Sequence, residues 1–170
     1  MPNRMDSIIA KSSGTAKAVE ARFRGLVGVF KALAEEHGEA GALLKRLHSD
    51  PARRADLWPK IRQELLSHEK AELREVYPVL REYAETRALA DRHDAEASEL
   101  SALIDRLEAT SIAAPEWDPM LDRLIDLVEH HVEEEERDIF PKAQQAIGTE
   151  RAKAIEPRFL AAKKQAAQTV

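Results

Sequence analysis

The sequence predicts an all-α fold, a bundle of helices with polar side chains set into its apolar seams. Three observations carry this. Apolar residues recur at alternating steps of three and four along four separate stretches. Glycine numbers 6 and aromatic residues make up 5% of the 170 residues, too little turn and strand chemistry for a β-rich chain. Hydrophobic residues at 44% and charged residues at 34% suit helices with one buried stripe and a charged outer face.

The first stretch runs through Leu26, Phe30, Leu33, His37, Ala40, Leu44 and Leu47. The second takes Trp58, Ile61, Leu65, His68, Glu72, Val76 and Val79, and the third Leu89, His93, Glu96, Leu100, Leu103 and Leu107. The fourth is Leu121, Leu124, Val128, His131, Glu135 and Ile139. Residues 49–57 read as the first loop and residues 109–118 as the third, with a boundary near residues 82–86 between the second and third helices. Asp118 before Pro119 is a strong helix start, a capping carboxylate followed by proline at the first helical position. Pro78 and Pro141 fall late in their helices. Each should kink or end its helix, since proline lacks the N–H and costs about 3 kcal/mol in an interior. The chain divides into a flexible N-terminus over residues 1–15, the bundle over 16–147 and a helical tail over 148–170.

A net charge of −5 disfavours nucleic acid as a partner, because phosphate binding wants a basic face. No apolar run approaches the length of a membrane span, and the first residues lack the apolar block of a secretory signal. The expected address is cytoplasmic. Cysteine is absent, so any metal must be held by imidazole and carboxylate.

One phrase occurs twice. His68, Glu72, Tyr77 and Pro78 read H-x3-E-x4-Y-P, and His131, Glu135, Phe140 and Pro141 read H-x3-E-x4-F-P. Residues four apart lie on one helix face, one turn apart. A carboxylate on a buried seam costs several kcal/mol unless it is paired, and a pair of metal ions compensates four seam histidines and two glutamates together. His37, His68, His93 and His131 are the terminal metal ligands on this reading, with Glu72 and Glu135 as bridges. The mixed donor set points to iron, with manganese and zinc as the ions it also accepts. Four histidines and two bridging carboxylates give about eight donor atoms, against about twelve for two octahedral irons. The difference leaves room for a bridging oxo or hydroxo group and an exchangeable water or dioxygen.

Other polar residues have plainer readings. His48 lies three turns beyond His37, roughly 16 Å away, and His130 sits about 100° off its seam. Glu133, Glu134 and Glu136 read as a wet face with Glu135 turned inward. Glu69 and Glu96 are candidates for an added ligand or for a hydrogen bond to a ligand imidazole. Tyr77 and Phe140 are expected to pack at the mouth or an end of the bundle, and Trp58 and Trp117 to close the core. A ferritin-like centre would need acidic residues three before the histidines; Ala34, Leu65, Ala90 and Val128 stand there.

Carried by His37, by His68 with Glu72, by His93 and by His131 with Glu135, residues 30–142 resemble hemerythrin-like proteins of the HHE cation-binding class. That resemblance implies an antiparallel up-down four-helix bundle around a non-haem di-iron centre that binds dioxygen or a related small molecule. Two departures stand out. Oxygen-carrying hemerythrins have a further histidine where this chain has Ala97, and an aspartate where it has Glu136. The first repeat has Leu73 at the place equivalent to Glu136, which favours Glu135 as the ligand. The expected function is that of a di-iron protein binding or reacting with dioxygen, peroxide or nitric oxide, in binding, sensing or detoxification. The alternatives are an iron- or oxygen-responsive adapter without catalysis and an inert helical interaction module. No side chain is assigned as a catalytic acid or base.

Overall fold

Each of the four apolar seams falls mostly within one helix. The structure, a computed structural model, describes residues 4–23 and 25–170, with side chains from residue 9 onward except 18, 19 and 22–24. In chain order it comprises α1 (Arg4–Phe23), α2 (Val29–Ser49), a 3-10 turn (Pro51–Arg53), α3 (Arg54–Glu75) and α4 (Tyr77–Leu80). There follow α5 (Ala84–Ala109), α6 (Trp117–Glu134), a π-helical turn (Glu135–Ile139), α7 (Phe140–Ile147) and α8 (Thr149–Ala166). All regular structure among the described residues is helical, as composition and periodicity required. No helix among them is long and apolar enough to cross a membrane.

Neighbour relations close a ring: α2 lies against α3 and α6, and α5 lies against the same two helices. Outside it, α1 packs on α2, and α8 packs on α3 and α2. Residues 4–15, expected as a flexible N-terminus, form the first part of α1.

The apolar core falls into two clusters. One gathers Phe30, Leu33, Tyr77, Leu80, Phe140, Ala143 and Phe159. The other gathers Leu47, Leu57, Ile61, Ile104, Leu107, Trp117 and Leu121. Along its seam, each histidine falls between the buried residues of one cluster and the buried residues of the other. On α2, for instance, Leu33 and Ala34 belong to the first and Leu43 and Leu44 to the second. The polar layer is therefore walled by apolar packing at both ends, where full burial of a large side chain contributes about 1.5–3 kcal/mol.

Helix boundaries differ from the sequence reading in places, each with a local cause. The first loop is shorter than residues 49–57. Helix α3 begins at Arg54, whose buried guanidinium donates through Nε to the Leu47 carbonyl at 3.3 Å and pairs with Asp118. Asp118 does not cap α6, which begins at Trp117 without a side-chain cap. Trp117 donates its indole N–H to the Leu107 carbonyl at 3.3 Å and meets Trp58 edge to face at 5.8 Å. Both tryptophans close the core as expected.

The late prolines act as proline must, but in two ways. Ahead of Pro78 the helix breaks at Val76 (φ −102°, ψ −61°) and restarts as α4. Ahead of Pro141 the chain instead widens into the π turn and continues as α7 with Pro141 in its first turn. Neither proline can donate to the carbonyl one turn back, and each device relieves that clash.

Two close approaches fix the outer helices. Gly28, before α2, has φ +56°, and a Cβ there would lie 2.4 Å from the Ala152 backbone of α8. A Cβ on Gly38 would lie 2.6 Å from the Ser13 carbonyl of α1. Only glycine lets these backbones meet.

Candidate metal centre

The residues singled out by spacing converge on one buried layer. His37 comes from α2, His68 and Glu72 from α3, His93 from α5, His131 from α6, and Glu135 opens the π turn. Glu72 and Glu135 are 0% exposed, His93 1% and His37 6%. The rings pair, His37 with His68 at 5.1 Å between centroids and His93 with His131 at 5.0 Å. His37 and His131 are 6.4 Å apart across the centre.

Every one of the four histidines turns Nε2 inward. His68 Nε2 is 3.2 Å from Glu72 Oε2. His37 Nε2 and His131 Nε2 are 3.2 and 3.3 Å from the same oxygen, Glu135 Oε2. His93 Nε2 lies 3.4 Å from Glu69 Oε1 and 3.7 Å from Glu135 Oε1. None of these four nitrogens has a hydrogen-bond partner, and neither do both oxygens of Glu72, Oε2 of Glu135 and Oε1 of Glu69. Buried polar atoms are nearly always satisfied, and leaving one bare costs about 1–3 kcal/mol. A cluster of bare nitrogens and oxygens facing one another is the donor set that a cation would satisfy.

Ligand-capable atoms within 4.8 Å of one another form two groups, His37 with His68 and Glu72, and His93 with His131, Glu69 and Glu72. Glu72 belongs to both. Glu135 reaches both as well, touching His37 through one oxygen and standing within 3.7 Å of His93 with the other.

One carboxylate takes up a role the sequence left open, and another departs from its reading. Glu69, one of several candidates for an added ligand, is 5% exposed and joins the His93 group. It stands three residues before Glu72 and so on the same face of α3, in the group where Ala97 leaves α5 with a single histidine. Glu136, read as part of a wet face, is only 6% exposed. The π turn is the reason: its wider winding turns two consecutive glutamates inward, and they grip opposite edges of one ring. Glu135 faces Nε2 of His37, while Glu136 Oε1 accepts from Nδ1 at 3.1 Å. Such turns are common at functional sites. Glu133 stays exposed, as read.

Two of the outward nitrogens, Nδ1 of His37 and of His68, are held from behind by hydrogen bonds. Nδ1 of His68 donates to Glu36 Oε2 at 2.8 Å, and Nδ1 of His131 stands 3.7 Å from Glu96 Oε2. Sequence reasoning missed Glu36, because nothing in its spacing distinguishes it from an ordinary surface glutamate. The plainly read histidines lie elsewhere: His48 is exposed beside Asp122, and His130 is exposed.

The electrostatics show how tightly these charges are packed. Burial opposes ionisation of His131, but the carboxylate of Glu135 overrides it and pushes the imidazole up to about 10. Burial likewise opposes, and Glu72 with Glu36 reverses, so that His68 is raised well above its ordinary value. Burial and the charge of Glu72 push Glu69 up to about 8. For His93 burial prevails and lowers the imidazole. Burial alone would raise Glu36, but the hydrogen bond from His68 and the charges of His68 and Lys163 bring it down to about 2.

A cavity of about 100 Å³ leads to this layer and ends on His37, His68, His131 and Glu69. Its lining combines Ala40, Leu43, Leu65, Leu100 and Val128 with the charged Lys11, Glu36, Glu39, Lys60, Glu64 and Lys163.

Comparison with known proteins gives two findings. Residues 21–143 match the hemerythrin HHE cation binding domain. A similar curated protein, named DNA nickase, comes from Nostoc sp. (strain PCC 7120 / SAG 25.82 / UTEX 2576) and is 27% identical over 164 residues, 93% of this chain and 46% of the nickase. The chain thus spans less than half the length of that relative. No solved structure matches the chain at a significant level.

Proposed function

The chain belongs to the hemerythrin HHE cation-binding domain family, and from that premise we propose that it holds a non-haem pair of iron ions and binds or reacts with dioxygen, peroxide or nitric oxide. The observation that carries this reading is the set of bare, inward Nε2 atoms with the bare oxygens of Glu72, Glu69 and Glu135. His37 and His68 would hold one ion and His93, His131 and Glu69 the other, with Glu72 and Glu135 shared between them. The mixed nitrogen and oxygen set suits iron, and manganese and zinc are the nearest competitors.

A bound iron pair supplies electron transfer to and from a small oxidant. The chain's own residues do the rest. The cavity, lined partly by aliphatic and partly by charged side chains, has room for a small molecule beside the histidines. Glu36 and Glu136 keep the ligand rings in one orientation, as outer carboxylates do for metal-bound histidines. The ring of contacts among α2, α3, α5 and α6 supports reading them as an antiparallel up-down four-helix bundle. So does the order of the two apolar clusters, which reverses from α2 to α3 and again from α5 to α6.

Strand cleavage is not carried over from the nickase. A duplex binder wants a basic face, and this chain has a net charge of −5.

The test is metal content of protein purified without added metal or chelator, with ultraviolet–visible spectra before and after dithionite and air. Iron at about two per chain, with bands that come and go with redox cycling, is the expected result. Glu72→Ala should lower occupancy of both positions and His93→Ala of one. No iron, and none taken up on anaerobic ferrous loading, would overturn the reading.

A further inference from the structure

Two lysines outside the matched domain reach toward its histidines. Lys17 is on α1 and Lys163 on α8, both beyond residues 21–143. Nζ of Lys17 is 2.8 Å from Oε2 of Glu136, whose Oε1 is 3.1 Å from Nδ1 of His37. Nζ of Lys163 is 2.9 Å from Oε2 of Glu36 and 2.9 Å from Oε2 of Glu64. The same Glu36 oxygen is 2.8 Å from Nδ1 of His68. Both outer helices thus contribute a lysine–carboxylate–imidazole chain, and both chains end in the same histidine pair.

The other pair lacks this arrangement. Nδ1 of His131 stands 3.7 Å from Glu96, beyond hydrogen-bond reach, and Nδ1 of His93 has no hydrogen-bond partner.

A carboxylate can only accept, so the nitrogen facing it must carry the proton. Holding that carboxylate fixes the ring's tilt and leaves Nε2 aimed inward. The lysine limits where the carboxylate can go. A surface lysine usually keeps its ammonium in water, yet the Lys163 side chain is only 17% exposed between two glutamates.

We propose that Lys17 and Lys163 are positioning residues that hold His37 and His68 through Glu136 and Glu36, bracing one half of the centre and leaving the half at His93 and His131 unbraced. The metal consequence rests on the function proposed above; the brace on the rings does not.

Two readouts on the full chain separate these. The first is competition for Co(II) between the protein and a chromophoric chelator. Lys17→Met and Lys163→Met should each weaken one metal position by about 10–100-fold and leave the other unchanged. Lys17→Arg and Lys163→Arg, which keep the charge, should restore it. Loss of helix docking alone would lower the melting temperature without singling out one position. Equal weakening of both positions, or none, overturns the proposal. The second readout is nitrogen-15 spectroscopy of the histidines in metal-free protein. Nδ1–H signals of His37 and His68 should exchange slowly with water, be lost in the methionine variants and return in the arginine variants. If the chain binds no metal, this second readout decides the brace by itself, and it is the metal reading that has failed. Signals unaffected by either methionine variant overturn the proposal.

Discussion

The Tyr77 hydroxyl donates a hydrogen bond to Oε1 of Glu135. It joins the residue before Pro78 in the first repeat to the glutamate of the second repeat, Glu135, in the buried histidine layer. The tyrosine ring also lies on His93, 3.6 Å between centroids and 22° from parallel. Tyr77, 0% exposed, thus packs into the wall of the layer through His93 and Glu135 and not only at the mouth or end of the bundle. The equivalent residue in the second repeat is Phe140, which stacks on His37 at 5.8 Å. The repeats therefore share aromatic packing on a histidine, and only the first adds a donor.

Tyr77→Phe should fit without steric cost, since Phe140 already shows the aromatic accepted at this place. It strips a buried carboxylate oxygen of its donor, a change worth about 1–3 kcal/mol. Urea unfolding of the metal-free variant should show that loss. A midpoint equal to that of the parent would mean the hydroxyl does not steady Glu135.

Metal-free protein should lose stability as pH rises. Glu69 titrates at about 8 in the folded chain against an ordinary 4.5, and His131 at about 10 against 6.5. Both are raised, so the folded state holds these protons more firmly than the unfolded chain does. Their contribution is fully present below 4.5 and 6.5 and is lost as pH passes through about 8 and about 10. Metal displaces the same protons, so metal affinity should rise over that window. Melting temperatures in chelator should fall from pH ~5 to ~9, and Glu69→Gln should flatten the lower part of the fall. A rising curve in chelator would contradict this account.

Gly38→Ala should push α1 off α2, because the new Cβ would stand 2.6 Å from the Ser13 carbonyl, which is backbone. Overpacking of this kind costs about 1–3 kcal/mol. Gly41→Ala on the same helix meets nothing within 4 Å and should stabilise by up to about 1 kcal/mol. Urea midpoints for the two variants should move in opposite directions. Limited proteolysis should cut within α1 faster in Gly38→Ala alone. Equal behaviour of the two would show that α1 does not dock through Gly38.

Much of the buried histidine and glutamate layer was legible because helices convert spacing into direction. His68 and Glu72 must share a face at four residues apart, and so must His131 and Glu135. A polar residue on an apolar seam declares itself against its neighbours, as His37 and His93 do. Glu136 could not be read this way. Regular winding puts it about 100° from Glu135, and only the π turn ahead of Pro141 brings both inward. Glu36 and Lys163 were illegible for another reason: they lie 127 positions apart in sequence and become partners only where α8 packs beside α2.

The sequence by itself determined the helical class, the four histidines and two glutamates set into the seams, and the prolines that interrupt two helices. These follow from local periodicity and from the chemistry of single residues. Tertiary structure alone decided that Glu69 joins the His93 group, that Tyr77 reaches Glu135, and that α1 and α8 each place a lysine behind a ligand-capable histidine. Those outcomes depend on which helix lies against which and on side-chain reach across the gap. Periodicity orients a side chain about its own helix axis and carries no information about what stands opposite.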